Sequence, residues 1–163
     1  YFEKLKPFEI GDFTIEAFPV SHDATDCVGF TVKYLGKRFV FATDLGYVST
    51  EAAEHLKQAD YMVFEANYDE MMLDQGVYPV HLKNRIKSDR GHLSNIQCGL
   101  FLANNYQANL KYVFLCHLSR ENNMPDIAFE TVQSCYAERG VNVGVDLQLV
   151  PLNRFTPSEL YDF

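Results

Sequence analysis

The sequence predicts an α/β sandwich with mixed sheets and helices on the outer faces. Three observations carry that expectation. The early part of the chain is hairpin-like, with apolar side chains recurring at a period near two. The later part alternates apolar strands with helical stretches, and polar residues stand directly after several of the strands. In layered α/β folds, strand ends are where sites are assembled.

The elements follow in order. Residues 13–20 and 28–34 alternate as half-buried strands do. Leu35-Gly36-Lys37 reads as a tight turn into the apolar run 38–42, a buried strand that stops at Thr43-Asp44. A short helix over 50–58 leads to a second buried strand at 60–65. Residues 79–88 read as helical after Pro79. Ser94 opens a stronger helix, because Ser-x-x-Gln at 94–97 is a capping box, with Ile96, Leu100 and Ala103 on one face. A third buried strand, 111–116, ends at His117. The helix 125–139 starts with Pro and is closed by Gly140, and residues 145–151 form the last strand. No repeat or linker interrupts the chain, so residues 1–163 read as one compact unit.

Composition narrows the function. The 163 residues are 47% apolar and 14% aromatic, which excludes a disordered tail or a fibrous rod. A net charge of −8 argues against coating nucleic acid through bulk charge. No apolar run is long enough to span a bilayer, and the start, Tyr1-Phe2-Glu3-Lys4, has no signal-peptide core, so a cytoplasmic location is expected. Cys27, Cys98, Cys116 and Cys135 include no Cys-x-x-Cys pair and sit among apolar neighbours, as reduced buried thiols do.

His22, Asp44, Glu65, His92 and His117 form the candidate constellation, each placed after a strand or in a loop between elements. Any one of them alone reads as a hydrogen-bonded loop residue; their joint placement is what points to a site. His55 and His81 fall within helices, and both are expected to face solvent.

Pro-Val-Ser-His-Asp-Ala at 19–24, Phe-Ala-Thr-Asp-Leu-Gly at 41–46 and Phe-Leu-Cys-His-Leu-Ser at 114–119 resemble three metal motifs of the metallo-β-lactamase superfamily. The blocks at 64–69, 88–95 and 118–123 resemble those of its bacterial YycJ/VicX group, near the RNase Z and RNase J nuclease branches. The superfamily's His-x-His-x-Asp-His motif, which precedes these blocks, is absent. Together with the missing initiator Met, this reads as the C-terminal portion of a longer αββα domain. The resemblance implies two divalent ions, Zn or Mn, with Asp44 as the bridge, His22 and His117 each serving one ion, and a metal-bound hydroxide as nucleophile. The absent segment would complete both coordination spheres. It also implies that Glu65 orients His92, which protonates the leaving oxygen; a carboxylate partner fixes the tautomer and raises the imidazole pKa.

Ser94 and Asn95 open a helix beside His92, where free N–H groups attract phosphate, although a simple N-cap accounts for Ser94 equally well. Lys83, Arg85, Lys87 and Arg90 crowd four of the chain's 14 basic residues into one short stretch. They form either a solvated helix face or a track leading a nucleic-acid backbone toward His92. The expected function is a metal-dependent phosphodiester hydrolase acting on DNA, which the group resemblance narrows to a 5′-to-3′ exonuclease. A hydrolase of small cyclic or linear phosphodiesters and a non-catalytic binding fragment are the alternatives. This chain alone is expected to be inactive, and to associate into homo-oligomers through the apolar surface left by the missing half.

Overall fold

The computed structural model describes residues 2–163; Tyr1 lies outside them. Seven strands form one sheet in sequence order: β1 (Phe8–Ile10), β2 (Phe13–Pro19), β3 (Val28–Tyr34), β4 (Lys37–Ala42), β5 (Tyr61–Glu65), β6 (Tyr112–Cys116) and β7 (Gln148–Pro151). The first four pair antiparallel, as the short turns between them require, and β4 to β7 pair parallel. Helices α1 (Thr50–Leu56), α2 (Glu70–Gln75), α3 (Val80–Ile86), α4 (Asn95–Asn104) and α5 (Pro125–Glu138) fill the parallel crossovers.

Each crossover steps to the next strand in the same direction. Right-handed connections then place the crossover helices on one face of the sheet. The core lies there, with Val40, Phe64, Val113 and Leu115 fully buried beneath α1, α4 and α5. The mixed sheet and its helices agree with the expected α/β fold, and all seven strands of this chain lie in one sheet. The opposite face carries Phe30, Phe39, Phe41, Tyr61, Tyr112 and Phe114 in register across β3 to β6. The C-terminal residues lie over part of it, with Phe163 against Tyr61 at a centroid separation of 4.4 Å and Tyr161 against Phe114 at 5.0 Å.

Two local expectations are corrected. In α4 the buried residues are Cys98, Gly99, Leu102 and Ala103, while Ile96 and Leu100 face out. The reason is close helix packing, since a Cβ at Gly99 would meet the Cys135 Sγ of α5 at 2.7 Å. The contact face is chosen for small volume rather than for hydrophobicity. His55 does not face solvent: its ring stacks on Phe18 at 4.3 Å, and its Nδ1 pairs with the Thr31 hydroxyl at 2.9 Å. His81 is exposed, as expected.

Burial holds the His55 pKa below its ordinary value of 6.5, with Glu16 acting weakly the other way. Its contribution to stability is therefore complete above pH 6.5 and is lost as the pH falls below that value toward the depressed folded pKa. His55→Phe keeps the stack on Phe18 and removes the proton. Denaturant midpoints at pH 8 and pH 5 should differ less in this variant than in the parent chain, and an unchanged difference would refute the assignment.

Cys98, Cys116 and Cys135 are buried, Cys27 is half-buried, and all four are free. Burial pushes the Cys116 thiol up to about 12, so it stays protonated at neutral pH. Among the described residues, no helix is long and apolar enough to cross a membrane.

Candidate metal and catalytic site

Because β3 is antiparallel to both β2 and β4, strands β2, β4, β5 and β6 all run the same way. Their C-terminal ends meet at one edge of the sheet. The connections leaving that edge carry His22, Asp44, Glu65 and His117, and the turn before α4 brings His92 among them. All five constellation residues predicted from sequence come together.

Glu65 closes β5 and is fully buried. Its Oε1 accepts hydrogen bonds from His92 Nδ1 at 2.7 Å and from His117 Nδ1 at 2.8 Å, and its Oε2 accepts the Leu45 amide at 2.9 Å. Sequence reasoning paired Glu65 with His92 alone; it also holds His117. Burial by itself would raise the Glu65 pKa, but the hydrogen bonds from His117 and His92 outweigh it and keep the carboxyl below its ordinary range. The Glu65 hydrogen bond in turn raises the His117 pKa, against the opposing effect of burial.

A carboxylate can only accept, so both imidazoles present Nδ1–H to Glu65 and turn Nε2 outward. At His22 the backbone sets the same tautomer, with Nδ1 donating to the Gly91 carbonyl at 3.0 Å. The Asp44 carboxylate stands where these outward nitrogens converge. Its Oδ1 lies 3.8 Å from His22 Nε2 and 3.7 Å from His117 Nε2. His92 sits between the other two rings, with centroids 5.0 Å from His22 and 5.1 Å from His117. Two trios are close enough to hold an ion among the described residues, His22–Asp44–His92 and Glu65–His92–His117. In the second, the Glu65 oxygen is already occupied by two N–H groups.

This donor set fits divalent metal. Ligating histidines characteristically donate their other N–H to a carboxylate or a backbone carbonyl, and both His22 and His117 do so. Asp44 and His117 both adopt the left-handed backbone region, each with φ of 57°. Asp and His enter that region more readily than most residues, but it remains strained, and such strain clusters at functional sites.

The surrounding loops are pinned by groups the sequence reading left unassigned. Asn67 Nδ2 donates to the His117 carbonyl at 2.8 Å, fixing that strained residue. Asn123 Nδ2 donates to the Ala66 carbonyl at 2.8 Å and also pairs amide to amide with Asn95. A buried Asn in a polar loop has no periodic signature, although the blocks at 64–69 and 118–123 had marked the right segments. Gly91 lies so close to α3 that an added Cβ would meet the Ile86 and Arg85 carbonyls at 2.2 and 2.3 Å. Gly91→Ala should therefore destabilise the fold by roughly 1–3 kcal/mol and loosen His22 and His92 together. A denaturant melt unchanged by the substitution would contradict this packing.

The substrate-binding expectations fare unevenly. Ser94 and Asn95 are buried, and their side chains are used internally. Ser94 caps α4 and meets Glu70, Asn95 bonds Asn123, and the Ser94 and Asn95 amides go to Gln97 and Tyr68. Neither side chain reaches the surface, so their assignment to substrate is corrected. Among the basic residues, Lys87 pairs with Asp74, Lys83 donates to the Asp74 carbonyl at 2.8 Å, and Arg85 forms a two-pronged pair with Asp23. The Arg85 hydrogen bond holds the Asp23 carboxyl below its ordinary pKa. Arg90 touches only the His22 carbonyl, at 3.4 Å. Arg85 and Lys87 are thus matched by carboxylates, while Lys83 and Arg90 reach backbone carbonyls.

A sheet whose parallel half ends in a His/Asp cluster backed by a buried carboxylate defines a class, and the chain belongs to the metallo-β-lactamase superfamily: residues 2–117 match the model described as beta-lactamase superfamily domain. The chain is 38% identical over 159 residues to exodeoxyribonuclease WalJ of Streptococcus pneumoniae, covering 98% of this chain and 59% of that protein. It is 35% identical over 150 residues to exodeoxyribonuclease YycJ of Bacillus anthracis, covering 92% and 57%. The chain thus spans less than two thirds of the length of these relatives. Among solved structures, the metallo-β-lactamase fold protein YhfI of Bacillus subtilis superposes with a TM-score of 0.64 at 17% identity, over 92% of this chain and 50% of that one, which shows the shared fold.

Proposed function

We propose that the protein to which this chain belongs is a cytoplasmic, metal-dependent phosphodiester hydrolase that degrades DNA as a 5′-to-3′ exonuclease. The observation that carries the reading is the convergence of His22 Nε2 and His117 Nε2 on Asp44 Oδ1, with the far nitrogen of each ring tied down. The relatives named exodeoxyribonuclease supply the substrate class. His22, Asp44 and His117 would hold two divalent ions, Zn or Mn, Asp44 being common to both, and residues outside this chain would complete the ligands. Such ions activate water and neutralise charge on the attacking and leaving oxygens.

The chain's own residues do the rest. Glu65 fixes the rings of His92 and His117 and keeps Nε2 of each turned to the cleft. His92 delivers a proton from Nε2 to the leaving oxygen, and the Glu65 carboxylate offsets the charge of the imidazolium before the transfer. Arg85 and Arg90, at the rim beside His22, face the substrate backbone; Lys83 and Lys87, tied to Asp74, contribute a weaker field.

The test uses the complete protein, single-stranded and duplex DNA, and a nitrophenyl phosphodiester. His92→Ala should retain metal by elemental analysis and lose roughly 10²–10⁴ in rate on DNA. The loss should be much smaller on the nitrophenyl substrate, whose leaving group needs no proton. If His92→Ala strips a metal, His92 is a ligand instead. If the parent protein hydrolyses the small diester and leaves DNA intact, the small-phosphodiester reading replaces this one. If it binds no stoichiometric metal, it is a binding module. The isolated chain should hold at most part of the metal, turn over negligibly and self-associate.

A further inference from the structure

Arg85 and Lys87 are matched by Asp23 and Asp74, and Lys83 and Arg90 reach backbone carbonyls, while two further guanidinium groups, those of Arg120 and Arg154, line the cleft that holds His22 and His92. Arg154 follows β7 and donates to the Leu118 carbonyl, a contact that leaves its charge unopposed. Its side chain lines the same cleft as His22 and His92. Arg120, in the turn after His117, is mostly exposed and faces only its exposed sequence neighbour Glu121 at 3.5 Å. Such a surface pair is weak.

Two cavities meet at these side chains. A polar cleft of about 340 Å³ runs from His22 and His92 to Ser119, Arg120 and Arg154. A smaller cleft of about 150 Å³ continues from the same three residues and is floored by Leu118, Pro125, Leu152 and Phe155. Phe155 is 77% exposed beside Arg154. A polar compartment, a pair of cations and an apolar compartment with a bare aromatic ring follow one another away from the site. One strand of nucleic acid presents the same succession: a reacting phosphodiester, the next phosphate and the base beyond it. Guanidinium groups suit phosphate because their N–H pairs match its oxygens, and an exposed ring offers stacking to any base.

We propose that Arg120 and Arg154 clamp the phosphate adjoining the scissile linkage, with Phe155 stacking the base beyond it, so that these two clefts form a subsite for single-stranded nucleic acid. This subsite rests on the phosphodiesterase reading above and adds to it a means of holding a polymer. A small diester has neither the second phosphate that the guanidinium groups would hold nor the base that Phe155 would stack.

The experiment measures binding of a fluorescent, nuclease-resistant phosphorothioate 12-mer to the complete protein by anisotropy across a salt series. Hydrolysis of a nitrophenyl diester is measured in parallel. Arg120→Ala/Arg154→Ala should weaken oligonucleotide binding at least tenfold and reduce the salt slope by about 0.7, the value for one phosphate contact on a single strand. Phe155→Ala should weaken binding about tenfold, and Phe155→Trp should preserve it. Both sets should lower small-diester turnover far less than they weaken oligonucleotide binding. Lys37→Ala, which removes a cation from the opposite end of β4, serves as the charge control and should bind like the parent. Arg120→Ala/Arg154→Ala binding within twofold of the parent overturns the clamp, and unchanged binding by Phe155→Ala overturns the stacking. A parent protein that hydrolyses the small diester yet does not bind the oligonucleotide overturns the nucleic-acid reading and the subsite with it.

Discussion

Asp44→Ala in the complete protein should empty both metal positions and abolish hydrolysis of every substrate, while the fold survives. Among the described residues, this carboxylate is the one within 4 Å of imidazole nitrogens from all of His22, His92 and His117. Its removal would deprive the two proposed ions of the ligand assigned to both. Loss of a residue that merely orients a ligand costs about 10–100-fold in metal affinity or activity, and loss of the shared ligand should exceed that clearly. The side chain is part-exposed, and its only other contact is the Thr43 hydroxyl at 3.2 Å, so nothing in the core depends on it. Elemental analysis and a thermal melt in EDTA separate the two effects. Retention of both ions by Asp44→Ala would show that the ligand set lies elsewhere.

Glu65→Leu should fail differently, by damaging the fold and the site together. The substitution keeps an apolar volume in a fully buried place but orphans three donors: His92 Nδ1–H, His117 Nδ1–H and the Leu45 amide. The two rings, at the cleft, can turn to water, but Leu45 is completely buried. One orphaned buried donor costs roughly 1–3 kcal/mol, and with two loosened imidazoles a total of about 3–5 kcal/mol is expected. Glu65→Gln keeps one oxygen and sets an amide N–H against a neighbouring N–H, so a smaller loss, about 2 kcal/mol, should accompany a 10–100-fold fall in metal affinity. Denaturant titrations with and without metal measure both. If Glu65→Gln binds metal as tightly as the parent, the orienting role assigned to Glu65 is wrong.

Strands β4, β5 and β6 were plain in the sequence because buried strands are continuous apolar runs, and each of the three ended at a polar residue now found in the site. Strand β1 was not legible: it is three residues long and exists through pairing with β2. Helix α2 was missed as well, and with it Asp74, whose carbonyl and carboxylate meet Lys83 and Lys87. Counting charges along the chain therefore overstated the positive field. Ser94 was correctly placed as a cap, but it is also covered by a bridge to Tyr68 and a contact with Glu70 of α2, a helix the sequence reading lacked. The sharing of Glu65 between two histidines follows from β5 and β6 being neighbours in register, Glu65 opposite Cys116, which no single segment can reveal.

The left-handed backbone at Asp44 and His117 sets evolution a choice between durability and work. Glycine is at ease at such angles, and relief of the strain there is on the order of 1 kcal/mol per residue. A library of the metal-free protein sorted for heat resistance alone would therefore enrich Asp44→Gly, discarding a proposed ligand, whereas His117 is retained by its hydrogen bond to the buried Glu65. A lineage that keeps the Asp44 side chain through drift is under selection for what it holds, not for the fold it burdens. Deep mutational scans read separately for abundance and for activity should pull apart more sharply at Asp44 than at His117.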